Sequence, residues 1–211
     1  GTPVRGEFSS YSKQAAKAEL GLPLDKPLVV SVWGSLGAEN MNEVICRFIE
    51  LAVKKPGFTL IHSAGVEGYE KMVEHLRRTV PDYEKNGMDV REYIYDMPRV
   101  MAAADLVLCR AGASTISELT YMHKPTIFVP SPFVTNNHQF KNAKVVEDAG
   151  GALIFEEGWF EPKELLKAVN DILSSDDKLE KMSAAMAKLA KPEATDMICD
   201  RIFSLLAENR K

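Results

Sequence analysis

Cysteine is scarce. Cys46, Cys109 and Cys199 are the only three in 211 residues, they lie far apart, and no C-x-x-C pair occurs. An odd, scattered set excludes a disulfide framework and a thiolate zinc site, and it fits a reducing, cytosolic compartment. Long apolar runs are missing too: no stretch of about 18 apolar residues is present, as a membrane-spanning helix requires, and no signal-peptide pattern opens the chain. Neither sign of charge dominates. Twenty-six Lys and Arg face 30 Asp and Glu, for a net charge of -4, which argues against nucleic-acid binding by general electrostatics. The pairs Lys54-Lys55 and Arg77-Arg78 read as solvated helix ends. The four histidines are scattered and no D-x-D pair exists, so metal chemistry is not expected. A G-x-G-x-x-G fingerprint, a Walker A loop and a G-x-S-x-G elbow are all absent.

What remains is an ordinary globular composition, 45% hydrophobic and 27% charged, of a length suited to one domain. Short apolar runs recur along the middle of the chain. They are 28–32, 58–62, 90–94, 105–109, 126–129 and 152–155, and several are continuously apolar, as in parallel strands buried on both faces. Helical patterns separate them. Met41, Val44, Ile45, Phe48 and Leu51 repeat at helical spacing, as do Ile116 and Leu119. Residues 9–20 read as a helix before the first strand. The tail from Pro162 onward is helical only, with Ile198, Ile202 and Leu205 in register, and Met41, Met72 and Met97 read as core filler. Alternation of this kind predicts an α/β fold with a parallel, doubly wound sheet of about six strands. Ligands bind such sheets beyond the carboxyl ends of the strands, which selects residues 34–38, 62–65, 94–97, 110–118 and 130–142.

Each of these segments has two readings. Gly34-Ser35-Leu36-Gly37-Ala38 opens a helix after the first strand; it is either a plain turn or an anion site built from free N–H groups, with the Ser35 hydroxyl as a further donor. Arg110 to Glu118 repeats the theme. Thr115-x-x-Glu118 has the form of a capping box, or Glu118 accepts hydrogen bonds from a ribose diol. Asn136-Asn137-His138-Gln139 is either a helix cap or a cluster that grips sugar hydroxyls. His62, at a strand end, is expected to point into the mouth of the cleft, where a lone histidine is more often structural than catalytic.

Together, Gly1-Thr2-Pro3-Val4-Arg5, the 34–38 turn, His62-Ser63-Ala64-Gly65, Cys109 through Glu118, and Asn137 through Ala143 resemble, in order and spacing, the bacterial family that transfers N-acetylglucosamine to undecaprenyldiphospho-muramoylpentapeptide. The resemblance spans essentially the whole chain. It implies a Rossmann-like sheet forming one half of a two-domain GT-B glycosyltransferase, with residues 1–211 as the C-terminal, donor-binding domain and the N-terminal acceptor domain not included. By the same resemblance, Arg5 and Ser35 contact the donor UDP-GlcNAc. The backbone of Ile94 pairs with uracil. Ala113, Ser114, Thr115, Ile116, Ser117 and Glu118 wrap the diphosphate and ribose, with Glu118 on the ribose hydroxyls. Gln139 holds the sugar. The catalytic base is expected from the other domain. No metal or other cofactor is implied, and the transfer is inverting. The acceptor is lipid I and the product lipid II. The whole enzyme would sit at the cytoplasmic face of the bacterial plasma membrane, touching it peripherally, and no nucleic-acid partner is implied. Two departures stand out: Thr2 replaces an Asn, and Trp33 stands where the family usually has Gly, which bears on how closely the backbone there approaches a ligand. Alternatives are the donor subunit of a split dolichol-linked GlcNAc transferase, a UDP-GlcNAc 2-epimerase, and a nucleotide-sugar-binding module inactive alone.

Overall fold

A computed structural model describes residues 2–34 and 37–208 of the chain. Six parallel strands form one sheet in the order β3-β2-β1-β4-β5-β6. They are β1 (Leu28–Val32), β2 (Thr59–Ser63), β3 (Met88–Arg91), β4 (Leu106–Cys109), β5 (Thr126–Phe128) and β6 (Ala152–Ile154). Five of the six expected runs fall within a residue of the observed strands. The exception is the third, where the ladder runs from Leu60↔Met88 to Ser63↔Arg91. Ile94 therefore lies beyond β3, in the loop that follows it.

Successive side chains of a strand point to opposite faces, and two apolar layers result. On one face Val29, Leu60, Leu106, Leu108 and Ile127 pack against α2 (Glu39–Ala52), α3 (Tyr69–Thr79) and α7 (Pro162–Leu173). On the other, Leu28, Val30, Ile61, Val107 and Phe128 meet α1 (Lys13–Glu19), α4 (Met97–Ala103), α5 (Ala113–Tyr121) and α6 (His138–Asp148). Helix α8 (Asp176–Leu189) closes the sheet beside β6, with Met182 in the first layer and Met186 in the second. Burial on both faces explains the continuous apolar strands.

Helix α2 turns slightly from its expected face. Met41, Ile45 and Phe48 are buried as expected, but Asn42, Cys46 and Ile49 replace Val44 and Leu51 in the inward stripe. The last helix, α9 (Ala194–Glu208), forms where the spacing placed it, yet Met197, Ile198, Ile202, Phe203 and Leu206 lie on the surface.

At the amino ends of the strands, Asp105 anchors α1. Its carboxylate accepts from the Leu28 amide at 2.8 Å and pairs with Lys17 at 3.0 Å and with Lys13. Lys17 and Asp105 are nearly closed to solvent. These contacts hold the Asp105 carboxyl below its ordinary range, against the burial that would raise it. Strand order reverses between β1 and β4, so the crevice that such sheets offer to ligands opens there, at the carboxyl edge.

Candidate functional site

Each of the six strands is followed at that edge by a helix, and the starts of the four that come after β1, β2, β4 and β5 share a property. The N-cap residues are Ala38 for α2, Gly68 for α3, Gly112 for α5 and Asn137 for α6, and none makes a side-chain capping bond. The caps of α1, α4, α7 and α8 are supplied by side chains, although α4 and α7 begin at the same edge, after β3 and β6. Ser12 caps α1, Asp96 caps α4, Ser175 caps α8, and Glu161 with Glu164 forms a capping box on α7. First-turn N–H groups without side-chain partners, with the helix dipole behind them, favour a bound anion.

The capping box expected at Thr115 and Glu118 does not form. Helix α5 starts at Ala113, which makes Thr115 its third residue and Glu118 its sixth, a full turn too deep to reach back to the N-cap. Glu118 is half-buried instead. Burial pushes its carboxyl pKa up, and the Arg5 guanidinium opposes that shift. Thus Arg5, far from Glu118 in sequence, is near enough in space for its charge to act on that carboxyl. The Thr2 amide donates to Ser117 Oγ at 3.1 Å, fastening the amino-terminal segment to α5. Arg5 itself is largely exposed, 3.8 Å from Glu7 and 5.3 Å over the Phe8 ring. Ala113 and Ser114 are exposed on the first turn; Thr115, Ile116 and Ser117 are half-buried.

Ile94 is buried through its side chain. Among the described residues its amide and carbonyl have no backbone partner. Gln139 opens α6. Its Oε1 accepts from the Ser131 amide at 2.9 Å, which leaves its NH₂ group to donate elsewhere. The preceding Asn136 and Asn137 both take left-handed backbone angles, at φ 56° and 50°, a conformation asparagine tolerates better than most residues. Asn137 is thus the N-cap by position but not by hydrogen bond. The His138 Nδ1–H donates to the Thr135 carbonyl at 3.0 Å. Ser35 lies outside the described residues.

Two clefts open at this end. The smaller, about 380 Å³, includes Trp33, Gly37, Ala38, Arg110, Gln139 and Glu157 in its lining. The larger, about 1060 Å³, runs down the outside of α2 and α3, past Cys46 and His75. Among the described residues, Gln139 is the one expected site residue that lines either; Arg5, Ile94 and residues 113–118 line neither. Size is a poor guide here, because the larger groove leads away from the strand ends. Burial drives the Cys46 thiol up to about 11, so it stays protonated and unreactive near neutral pH.

His62 departs from expectation. It is fully buried rather than at the cleft mouth, with Nδ1 3.0 Å from Ser31 Oγ and Nε2 3.1 Å from Asn42 Oδ1. Its place in β2, hydrogen-bonded on both sides between β1 and β3, turns it inward. Burial lowers its pKa to about 3, so the ring is neutral. Two further polar residues, Asn42 and Glu157, escaped the sequence reading, and Arg110, inside a selected segment, was given no role. Asn42 sits on the buried face of α2. Arg110 donates to the Val129 carbonyl at 2.9 Å and packs 5.8 Å from the Trp33 ring. Glu157 lies 2.6 Å from Arg110 Nη1, with its Oε2 off the line of the N–H, and its Oε1 accepts from Asn40 at 3.1 Å. An Asn inside an apolar helical stripe was the available signal for the first; nothing in the spacing foretold the Arg110–Glu157 pair. Among the described residues, no three His, Cys, Asp or Glu side chains gather as metal ligands.

Comparison with known proteins follows this geometry. The chain is 36% identical over 206 residues to the UDP-N-acetylglucosamine--N-acetylmuramyl-(pentapeptide) pyrophosphoryl-undecaprenol N-acetylglucosamine transferase of Acetivibrio thermocellus, covering 98% of this chain and 55% of that one. It is 40% identical over 198 residues to the protein of the same name from Caldicellulosiruptor saccharolyticus, covering 94% and 52%. The crystal structure of Acinetobacter baumannii MurG superimposes with a TM-score of 0.75 at 27% identity, covering 95% of this chain and 55% of that one. The chain therefore spans about half the length of the relatives it matches. Residues 28–198, the sheet and nearly all its helices, match the glycosyltransferase family 28 C-terminal domain, and the chain belongs to that family.

Proposed function

We propose that residues 1–211 are a single donor-binding domain that holds UDP-GlcNAc while GlcNAc is transferred to lipid I, giving lipid II. The observation that carries this reading is the set of helix starts at one sheet edge without side-chain caps, with the Arg5 charge acting on the Glu118 carboxyl beside one of them. The curated relatives carry the corresponding activity in their names.

Each residue then has a chemical part. The first turn of α5, from Ala113 to Ser117, offers N–H groups to the diphosphate, and its dipole stabilises the departing UDP. Arg5 and Ser35 add a cation and a hydroxyl to that anion. Glu118 accepts from the two ribose hydroxyls. The free backbone amide and carbonyl of Ile94 match the alternating edge of uracil. Gln139, with its oxygen engaged by Ser131, donates through its NH₂ to a sugar hydroxyl. A base supplied by the part of the enzyme beyond this chain takes the proton from the C4 hydroxyl of the muramoyl sugar, which attacks the anomeric carbon with inversion. That same part binds lipid I and touches the membrane at its cytoplasmic face.

Calorimetry tests the reading. UDP and UDP-GlcNAc are expected to bind the chain with the same affinity in the presence and absence of EDTA. Failure of both ligands to bind overturns the donor assignment, and loss of binding in EDTA overturns metal independence. The chain alone is expected to form no lipid II from UDP-GlcNAc and lipid I, because it carries neither the base nor the acceptor site.

A further inference from the structure

A buried chain of hydrogen bonds runs through the carboxyl edge. Trp33 Nε1 donates to Ser31 Oγ at 2.9 Å. Ser31 Oγ meets His62 Nδ1 at 3.0 Å, and His62 Nε2 meets Asn42 Oδ1 at 3.1 Å. Asn42 Nδ2 donates to the Ala64 carbonyl at 2.8 Å. Both ends have fixed polarity, since an indole N–H only donates and a carbonyl only accepts. A single assignment satisfies every member: the Ser31 hydroxyl donates to Nδ1, and a neutral, Nε2-protonated His62 donates to Asn42.

The chain ends against the turn that follows β1. Trp33 directly precedes Gly34. At the other end, Gly37 packs on the Ala64 carbonyl so closely that a Cβ there would stand 2.2 Å from the oxygen, and Gly37 has φ +79°. Trp33 is 3% exposed, so its side chain is folded inward. Its ring also backs Arg110, which pairs with Glu157 across the smaller cleft. Trp33 is therefore the one residue shared by the neutral chain and the charged pair.

We infer that Trp33 is a positioning residue for the nucleotide-sugar: through Ser31, His62 and Asn42 it holds the Gly37–Ala38 wall of the smaller cleft in place. The inference rests on the donor reading above and adds to it a residue that the family pattern, with Gly at this point, does not supply.

The test is Trp33→Phe, which removes the N–H donor and keeps an aromatic ring, with Ser31→Ala and the double variant beside it. Affinities for UDP-GlcNAc and for uridine are measured by titration, together with the thermal midpoint of the free protein. Trp33→Phe is expected to weaken UDP-GlcNAc by about fivefold, the worth of one net hydrogen bond, and to leave uridine unchanged. Ser31→Ala should reproduce the effect, and the double variant should be no weaker than the weaker single, because both cut one chain. A lowered midpoint with unchanged UDP-GlcNAc affinity, equal losses for both ligands, additive losses, or a Trp33→Phe protein that does not fold would each overturn the inference. If the unsubstituted chain binds no UDP-GlcNAc, the donor reading itself has failed.

Discussion

Glu118 is where one residue separates two explanations. It cannot be a cap, because α5 begins five residues before it. Its raised pKa means that the folded state favours the protonated form. Any stability linked to this group is therefore gained as pH falls through the raised pKa, and the ionised carboxylate is a burden in the free protein. Glu118→Gln should leave the free protein's melting temperature unchanged or raise it, while UDP binding weakens about tenfold through loss of charged hydrogen bonds to the ribose. Calorimetry and a thermal melt of that one variant check both halves. His62 behaves oppositely under acid. With a folded pKa near 3 against an ordinary 6.5, the unfolded chain gains a proton first, so its contribution is complete above about pH 6.5 and falls by at most about 1.4 kcal/mol per pH unit below it. His62→Gln, which can still accept from Ser31 and donate to Asn42, should flatten the urea-unfolding free energy between pH 6 and 4 by close to one proton. A slope equal to that of the unsubstituted protein would show that His62 does not drive acid unfolding.

Among the elements, the strands were legible because continuous burial leaves an apolar run that little else in a globular chain imitates. The third run misled at its end: Tyr93 and Ile94 have strand-like side chains, but the β2 ladder finishes at Arg91, and Ile94 owes its apolar character to packing from the following loop into the second apolar layer. Helix starts were legible as places and not as chemistry. Thr115-x-x-Glu118 looked like a cap because spacing alone does not fix which residue begins the helix. The polar network escaped for a similar reason: Ser31, His62 and Asn42 belong to three elements and Trp33 to none, and only the fold brings them into line. Helix α9 shows the converse, a correct element with an unfilled face. Ile202 and Leu206 are 50% and 54% exposed, so Ile202→Glu and Leu206→Lys should shift the stability of this chain by no more than about 0.5 kcal/mol. A thermal melt showing a much larger loss would mean that α9 packs inward in solution.

At the scale of the whole molecule, the two edges of the sheet have different work. Asp105, Lys17 and Lys13 bind α1 at the amino edge, while the helix starts without side-chain caps lie at the carboxyl edge. Asp105→Asn leaves two lysines without their buried counter-charge and should cost about 3–5 kcal/mol in urea unfolding, with UDP affinity at saturating fold unchanged. Weakened UDP binding in the folded variant would show that the edges are coupled. The strand order has one more consequence, for the growing chain on the ribosome. β1 lies in the middle of the sheet, yet its second neighbour, β4, is made long after it; the Leu28 amide waits for Asp105, 77 residues later. Throughout that interval Leu28, Val29 and Val30 line an open, apolar strand edge, the kind that pairs readily with foreign strands. Only when residue 109 has left the ribosome can that edge of β1 close, and the open edge then passes to β4 until β5 follows.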